Sequence, residues 1–131
     1  MKKIIKKSLC FLIPAFIIVS CNNYGTFLEF NGGELYYTSK ITEREAYKLG
    51  EYLVDSEFFD GERKTVQIDR IGDTYEFRMV IKKGLEQDEE FIEIMKYSSK
   101  LLSQDVFNGY SVDMHLCDEY LNTIRVVVSL N

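Results

Sequence analysis

Two segments of the chain alternate apolar and polar residues on both sides of a short turn, which restricts each segment to a β-hairpin. In residues 64–83 the turn is Ile71-Gly72-Asp73, and residues 110–130 repeat the pattern around a turn at 118–121. Successive side chains of a strand point to opposite faces, so alternation predicts one buried face per hairpin. The residues predicted on these faces are Val66, Ile68, Tyr75, Phe77, Met79 and Ile81 in the first hairpin, and Val112, Met114, Leu116, Ile124, Val126 and Val128 in the second.

Each hairpin follows a segment with the apolar spacing of a helix. Residues 42–59 begin with Thr42 and Glu45, the pattern of a capping box, and Asp60-Gly61 is predicted to end this helix. Residues 88–107 begin with an acidic turn, which suits the positive end of a helix, and are followed by Asn108-Gly109. The residues predicted to face the sheet are Ala46, Leu49, Leu53 and Val54 in the first helix, and Phe91, Ile94, Met95, Ser98, Leu101, Leu102 and Val106 in the second.

These segments predict an α+β fold in which two helices pack on one face of an antiparallel-rich sheet. Residues 34–40 add a strand, so the order is β-α-β-β-α-β-β, and Asn31-Gly32 within residues 26–35 indicates a further N-terminal hairpin strand. One packing is ferredoxin-like, with right-handed crossovers and an extra C-terminal strand. The other is a tandem helix–hairpin repeat, suggested by the similarity of residues 59–81 to residues 107–128, although any helix stop followed by a hairpin gives such a likeness.

The N-terminal residues have the composition of a secretory signal peptide. Four lysines occupy positions 2, 3, 6 and 7, and Leu9 to Val19 are apolar apart from a proline. This run of 11 residues is too short to span a bilayer, which takes about 20 helical residues. A buried N-terminal helix is the alternative, but its apolar residues would cover every face.

Ile18-Val19-Ser20-Cys21 resembles the lipobox of bacterial lipoproteins. The resemblance implies a diacylglyceryl group on the Cys21 sulfur, cleavage after Ser20 and acylation of the new amino end. It divides the chain into a removed signal at 1–20, a short lipidated tether at 21–26 and one α+β domain at 27–131. By the sorting pattern of the lipoproteins that the segment resembles, Asn22 rather than an aspartate after the cysteine favours the outer membrane, facing the periplasm, with the cell surface or inner membrane as alternatives.

Removal of the signal leaves a small acidic domain with one free thiol. Of 131 residues, 111 remain, and the loss of four lysines leaves 12 basic residues against 21 acidic ones, a net charge of −9. Such a charge disfavours nucleic acid as a partner. Cys10 leaves with the signal and Cys21 carries lipid, so Cys117 has no partner for an intramolecular disulfide and is predicted to be buried.

One strand of the second hairpin carries the residues with the most chemistry. Asp113, His115 and Cys117 occupy alternate positions and share a face, and Arg125 on the neighbouring strand is predicted to point the same way. These residue types could bind zinc or form a thiol–histidine pair. The segment has too few ligands for zinc, and His115 is the only histidine, so no metal, cofactor or catalytic residue is predicted.

The predicted function is therefore that of a membrane-anchored, noncatalytic domain of the cell envelope that binds an unidentified envelope protein. Its candidate contact surface is the uncovered sheet face, with Arg78, Asp113, His115 and Arg125, or an edge strand. One alternative is a small thiol enzyme or hydrolase that uses Cys117 and His115. Another is an immunity-type inhibitor, whose acidic surface binds a basic toxin.

Overall fold

The computed structural model describes residues 23–129, which form six strands and two long helices. The elements are β1 (Thr26–Phe30), β2 (Gly33–Tyr37), α1 (Glu43–Asp55), β3 (Thr65–Ile71), β4 (Thr74–Val80), α2 (Glu89–Asp105), β5 (Val112–Cys117) and β6 (Thr123–Val127), with a 3-10 turn at Leu85–Gln87 before α2. The α+β class and the additional N-terminal hairpin strand are confirmed. The predicted signal peptide and Cys21 lie outside the described residues.

The strands lie in the sheet in the order in which they occur in the sequence, from β1 to β6. β2 pairs with β3, and β4 with β5, in parallel, whereas every other neighbouring pair is antiparallel. The sheet is thus three hairpins joined by two helical crossovers. This is the tandem helix–hairpin packing, because the ferredoxin-like packing would insert another strand inside each βαβ unit.

The two crossovers have opposite hands, so the expectation of right-handed connections is correct for only one of them. Both crossovers step in the same direction across the sheet, but the β3–β4 hairpin reverses the strand direction between them. Both helices nevertheless cover the same face, since Leu53 of α1 and Leu102 of α2 line one groove with Phe77 and Met114 of the sheet. This is the apolar face of the sheet, so burying it requires both helices there, and the usual preference for right-handed crossovers is overridden.

α1 begins at the predicted capping box but ends before the predicted stop. The Thr42 hydroxyl accepts a hydrogen bond from the Glu45 amide at 3.1 Å, and the Glu45 carboxylate accepts one from the Thr42 amide at 2.9 Å. The helix ends at Asp55, five residues before Asp60, and Glu57 has a positive φ of 67°. The Phe59 amide donates to the Leu53 carbonyl at 2.9 Å, which turns the fully buried Phe59 ring into the core.

The buried stripe of α2 is displaced from the predicted one. Met95, Leu102 and Val106 are buried as predicted, but Ile94 is exposed, and Ile92 and Ser99 are buried instead. Ser99 faces β5, where its hydroxyl donates to the Val112 carbonyl at 2.6 Å. Adjacent apolar pairs allow either neighbour to face inward, so the stripe alone could not select between them.

The predicted inward face of β6 is wrong. Ile124, Val126 and Val128 are exposed, and Val127 is buried. Leu116 pairs with Arg125 and Cys117 pairs with Thr123, so Ile124 is an extra residue in a β-bulge. Because side chains alternate along a strand, this one residue inverts the two faces for the rest of β6.

Candidate functional site

A polar cluster lies on the open face, the sheet face opposite the helices. It consists of Glu76 and Arg78 on β4, His115 on β5 and Thr123 at the start of β6, and is called here the His115 cluster. Strand register places Arg78 directly beside His115. Arg78 Nη1 donates to Thr123 Oγ1 at 2.6 Å, and His115 Nδ1 lies 3.0 Å from the same oxygen. Glu76 completes the cluster, 3.6 Å from His115 Nε2 and 3.8 Å from Arg78 Nη2.

The surroundings of His115 favour its neutral form, because they lower the pKa of the imidazole. Its side chain is buried, and burial lowers the pKa of the imidazole, as does the Arg78 guanidinium beside it. The carboxylates of Glu76 and Asp113 oppose this shift without reversing it. The Thr123 hydroxyl accepts from Arg78, so it can donate its own proton to His115 Nδ1, an assignment that leaves the imidazole proton on Nε2, facing Glu76.

Stability should decline as the pH falls below about 6.5, the pKa of an ordinary histidine. The pKa of His115 is lower in the folded state, so between that lowered value and about 6.5 unfolding takes up a proton. The free energy of unfolding is therefore highest above this window and decreases through it as acid is added. His115→Asn, which cannot titrate, should flatten this dependence. Urea unfolding at about pH 7.5, 6.5 and 5.5 checks the comparison, and equal slopes for the two proteins would contradict it.

Of the residues predicted for the partner-binding face, Arg78, Asp113 and His115 lie on the open face, and Arg125 does not. The Arg125 side chain lies on the helix side, where Nη1 donates to the Glu86 carbonyl at 2.7 Å. The β6 bulge accounts for this error. Glu76 was missed, although its spacing of two residues from Arg78 places both side chains on one face.

Cys117 is fully buried, as predicted from its lack of a disulfide partner. Burial raises the pKa of its thiol, and Sγ donates to the backbone carbonyl of His115 at 3.5 Å. A thiol nucleophile requires access and a lowered pKa. Both properties of Cys117 therefore disfavour the reading as a thiol enzyme.

The described part of the chain has concave regions both between the helices and on the open face. A groove of about 290 Å³ between α1 and α2 has an apolar lining that includes Phe58, Met79 and Met114. A shallow depression of about 390 Å³ on the open face is bordered by Arg78 and Tyr120. Neither region is lined by Cys117 or His115, the two residues of the thiol-enzyme alternative. Within residues 23–129, no group of three or more His, Cys, Asp or Glu side chains is arranged to hold a metal ion, and no helix is both long and apolar enough to cross a membrane.

Aromatic side chains form a second cluster on the open face, close to the point where the described chain begins. It consists of Tyr24, Phe27 and Tyr36, whose rings are in contact, together with Tyr120, whose backbone carbonyl Tyr24 contacts, and is called here the aromatic corner. The Tyr24 ring lies edge-on to Tyr36 with centroids 5.4 Å apart, and Phe27 lies 5.2 Å from Tyr36. The Tyr24 hydroxyl donates to the Tyr120 carbonyl at 3.1 Å. These contacts join the start of the chain to the β5–β6 turn.

The edge strand β6 exposes a row of aliphatic side chains. Ile124 is 46% exposed, Val126 is 39% exposed and Val128, just after the strand, is 61% exposed. β6 is hydrogen-bonded to β5 on one side only within the described sheet. An apolar edge with unpaired backbone groups can accept an additional strand.

The comparisons with known proteins identify a family. No curated protein and no solved structure is significantly similar to the chain. Residues 27–128, which include all but the first residue of the described sheet, match the AF_1994_N family model, described as the family N-terminal domain. That description names a domain and no reaction. The match covers well over half of the chain, which therefore belongs to the AF_1994_N family.

Proposed function

We propose that this protein is a lipid-anchored, noncatalytic domain of the cell envelope that binds a partner protein by strand addition at β6. The anchor is the lipid on Cys21 implied by the lipobox resemblance. The observation that carries the partner site is the exposed aliphatic row of β6. An extended segment of the partner would pair with the free backbone of β6, and its apolar side chains would cover this row.

The open-face residues support this role by positioning β6 rather than by contacting the partner. Thr123, the first residue of β6, accepts a hydrogen bond from Arg78 and lies against His115. Beyond the other end of the strand, the Ser129 amide donates to the Asp113 carboxylate at 2.9 Å. Both ends of β6 are therefore held by side chains of β4 and β5, so little ordering of this strand is needed when a partner pairs with it.

Ile124→Lys should reduce capture of the partner about tenfold or more. A lysine on an edge strand opposes pairing with another strand, and a cost of about 1.4 kcal/mol corresponds to a tenfold loss of affinity. The matched control is Ile71→Lys, which makes the same change at an exposed isoleucine at the end of β3 (58% exposed). Crosslinking in cells with the full acylated chain, followed by quantitative mass spectrometry, measures the capture.

The proposal requires one protein that the natural chain and the Ile71→Lys variant capture equally and that the Ile124→Lys variant loses. Equal capture by all three chains excludes β6 as the contact. A basic protein that is captured by all three and released by high salt would instead identify the acidic surface as the binding site, as in the immunity-type inhibitor reading. Repeated failure to capture any protein rejects the protein-binding function.

A further inference from the structure

We infer that the aromatic corner is a membrane-contact surface, on which the domain rests against zwitterionic lipid headgroups in a defined orientation. This inference rests on the proposed acylation of Cys21. It adds to that anchor a second contact, made by the folded domain itself, and it identifies the partner of Tyr24, Phe27 and Tyr120 as the bilayer surface.

The first support is the short length of chain between the lipid and a fixed point of the fold. Tyr24 is held at three points: its carbonyl accepts from Gln67 Nε2 at 2.7 Å, its hydroxyl donates to the Tyr120 carbonyl, and its ring packs on Tyr36. Cys21 precedes it by three residues, so their Cα atoms are at most about 11 Å apart. β1 begins at Thr26, so the last residue of the predicted tether at 21–26 already belongs to the sheet. The length of chain between the lipid and the fold is therefore shorter than predicted.

That distance is too short for the domain to stand away from the bilayer. A domain of this size has a radius of gyration of about 13 Å, and each headgroup layer is about 5–8 Å thick. A lipid-linked Cys21 at the membrane surface would therefore place Tyr24 within or directly above the headgroups. Tyr36 and Tyr120 contact Tyr24 directly and Phe27 contacts Tyr36, so the whole aromatic corner would lie close to the headgroups.

Gly25 fixes the path of the backbone between Tyr24 and β1. Its φ is +106°, and a Cβ atom there would lie 2.3 Å from the Tyr37 carbonyl oxygen. The backbone of residue 25 therefore lies against β2 with no room for a side chain. This close contact turns Tyr24 onto the open face.

The exposed groups of the corner suit a zwitterionic interface. Tyr120 is 64% exposed at the tip of the β5–β6 turn, and tyrosine combines an apolar ring with a hydroxyl that headgroups can hydrate. The adjacent acidic residues argue against anionic lipid. Glu119 is exposed, and the Asp118 carboxylate is occupied within the turn by the amides of Tyr120 and Asn122. With a net charge of −9, the mature chain would be repelled by anionic headgroups.

A fluorescent probe at Tyr120→Cys should be quenched by nitroxide-labelled headgroups at least twice as strongly as the same probe at Tyr97→Cys. Tyr97 is 63% exposed, matching Tyr120, but lies on α2, on the helix side of the sheet. Bimane on the acylated full chain, reconstituted in phosphatidylcholine vesicles, reports this difference. Cys117 is buried and the Cys21 sulfur is blocked by lipid, so each variant carries one reactive thiol. The Tyr24 hydrogen bond goes to the backbone of residue 120, which the cysteine retains.

The outcomes separate this inference from the proposed anchor. An unmodified Cys21, or a protein that does not float with the vesicles, defeats both. Flotation with equal quenching at the two positions, or stronger quenching at position 97, leaves the anchor intact and overturns the membrane-contact surface. Replacing part of the phosphatidylcholine with phosphatidylglycerol should weaken quenching at position 120, and stronger quenching there would contradict the choice of a zwitterionic surface.

Discussion

Phe59→Ala should lower the free energy of unfolding by about 3–5 kcal/mol, the usual cost of removing a buried phenylalanine ring. Phe59 is fully buried, and its ring packs so closely that a Cβ atom on Gly33 would lie 2.2 Å from Cδ1. The neighbouring Phe58 ring is 5.5 Å away. The lost free energy has two parts. The burial of the ring no longer contributes, and a cavity remains among the surrounding side chains. For a domain whose total stability is about 5–15 kcal/mol, this is a large fraction.

Urea unfolding followed by circular dichroism measures this change, with Phe27→Ala as the matched control. Phe27 is the same residue type on the open face of β1, and nearly half of its surface is exposed. Its replacement should cost no more than about 1 kcal/mol. Equal losses in the two variants, or a loss below about 1 kcal/mol for Phe59→Ala, would refute the assignment of Phe59 to the core.

Those parts of the fold that depend on neighbouring residues could be predicted from the sequence. The Thr42–Glu45 capping box, the Asn31-Gly32 hairpin and the alternation of β4 are all local patterns, and the structure contains each of them. The end of α1 could not be predicted in this way. It depends on Phe59 finding a place in a core formed by distant strands, and this outweighs the local turn signal at Asp60-Gly61.

The open face was predictable only up to the bulge in β6. Arg78, Asp113 and His115 follow strict alternation, and the structure places all three where alternation predicts. One extra residue, Ile124, moves Arg125 to the helix side and exposes Val126. Without the bulge, alternation would place the apolar row of β6 on the buried helix side. With the bulge, the same row is exposed, and it is this row that is proposed to bind a partner.

The aromatic corner could not be found in the sequence because its members are far apart along the chain. Tyr24 and Tyr120 are 96 positions apart and meet only because the β5–β6 turn and the start of the chain approach the same face. Gly25 was the local signal that could have suggested a turn, but the sequence does not show what lies against it. Because Tyr24 follows Cys21 by only three residues, the aromatic corner lies next to the proposed lipid anchor.

Cys21→Ala should abolish fatty-acid incorporation and leave the precursor uncleaved. The lipobox resemblance implies that lipid is attached to the Cys21 sulfur and that cleavage after Ser20 follows. Each buried methylene contributes about 0.8 kcal/mol, so two or three long chains would hold the natural protein at the membrane essentially permanently. Metabolic labelling with an alkyne fatty acid and intact-mass spectrometry measure both changes.

Cys10→Ala is the matched control, because Cys10 lies in the segment predicted to be removed and its replacement should leave labelling and cleavage unchanged. Among the described residues, the Cys117 sulfur is buried and is therefore not an accessible alternative site for acylation. Labelling that persists in the Cys21→Ala variant would place the lipid elsewhere. Loss of labelling in the Cys10→Ala variant would mean that acylation does not depend on the lipobox cysteine alone. In either case the anchor, and with it the orientation that the short chain to Tyr24 imposes on the domain, would have to be abandoned.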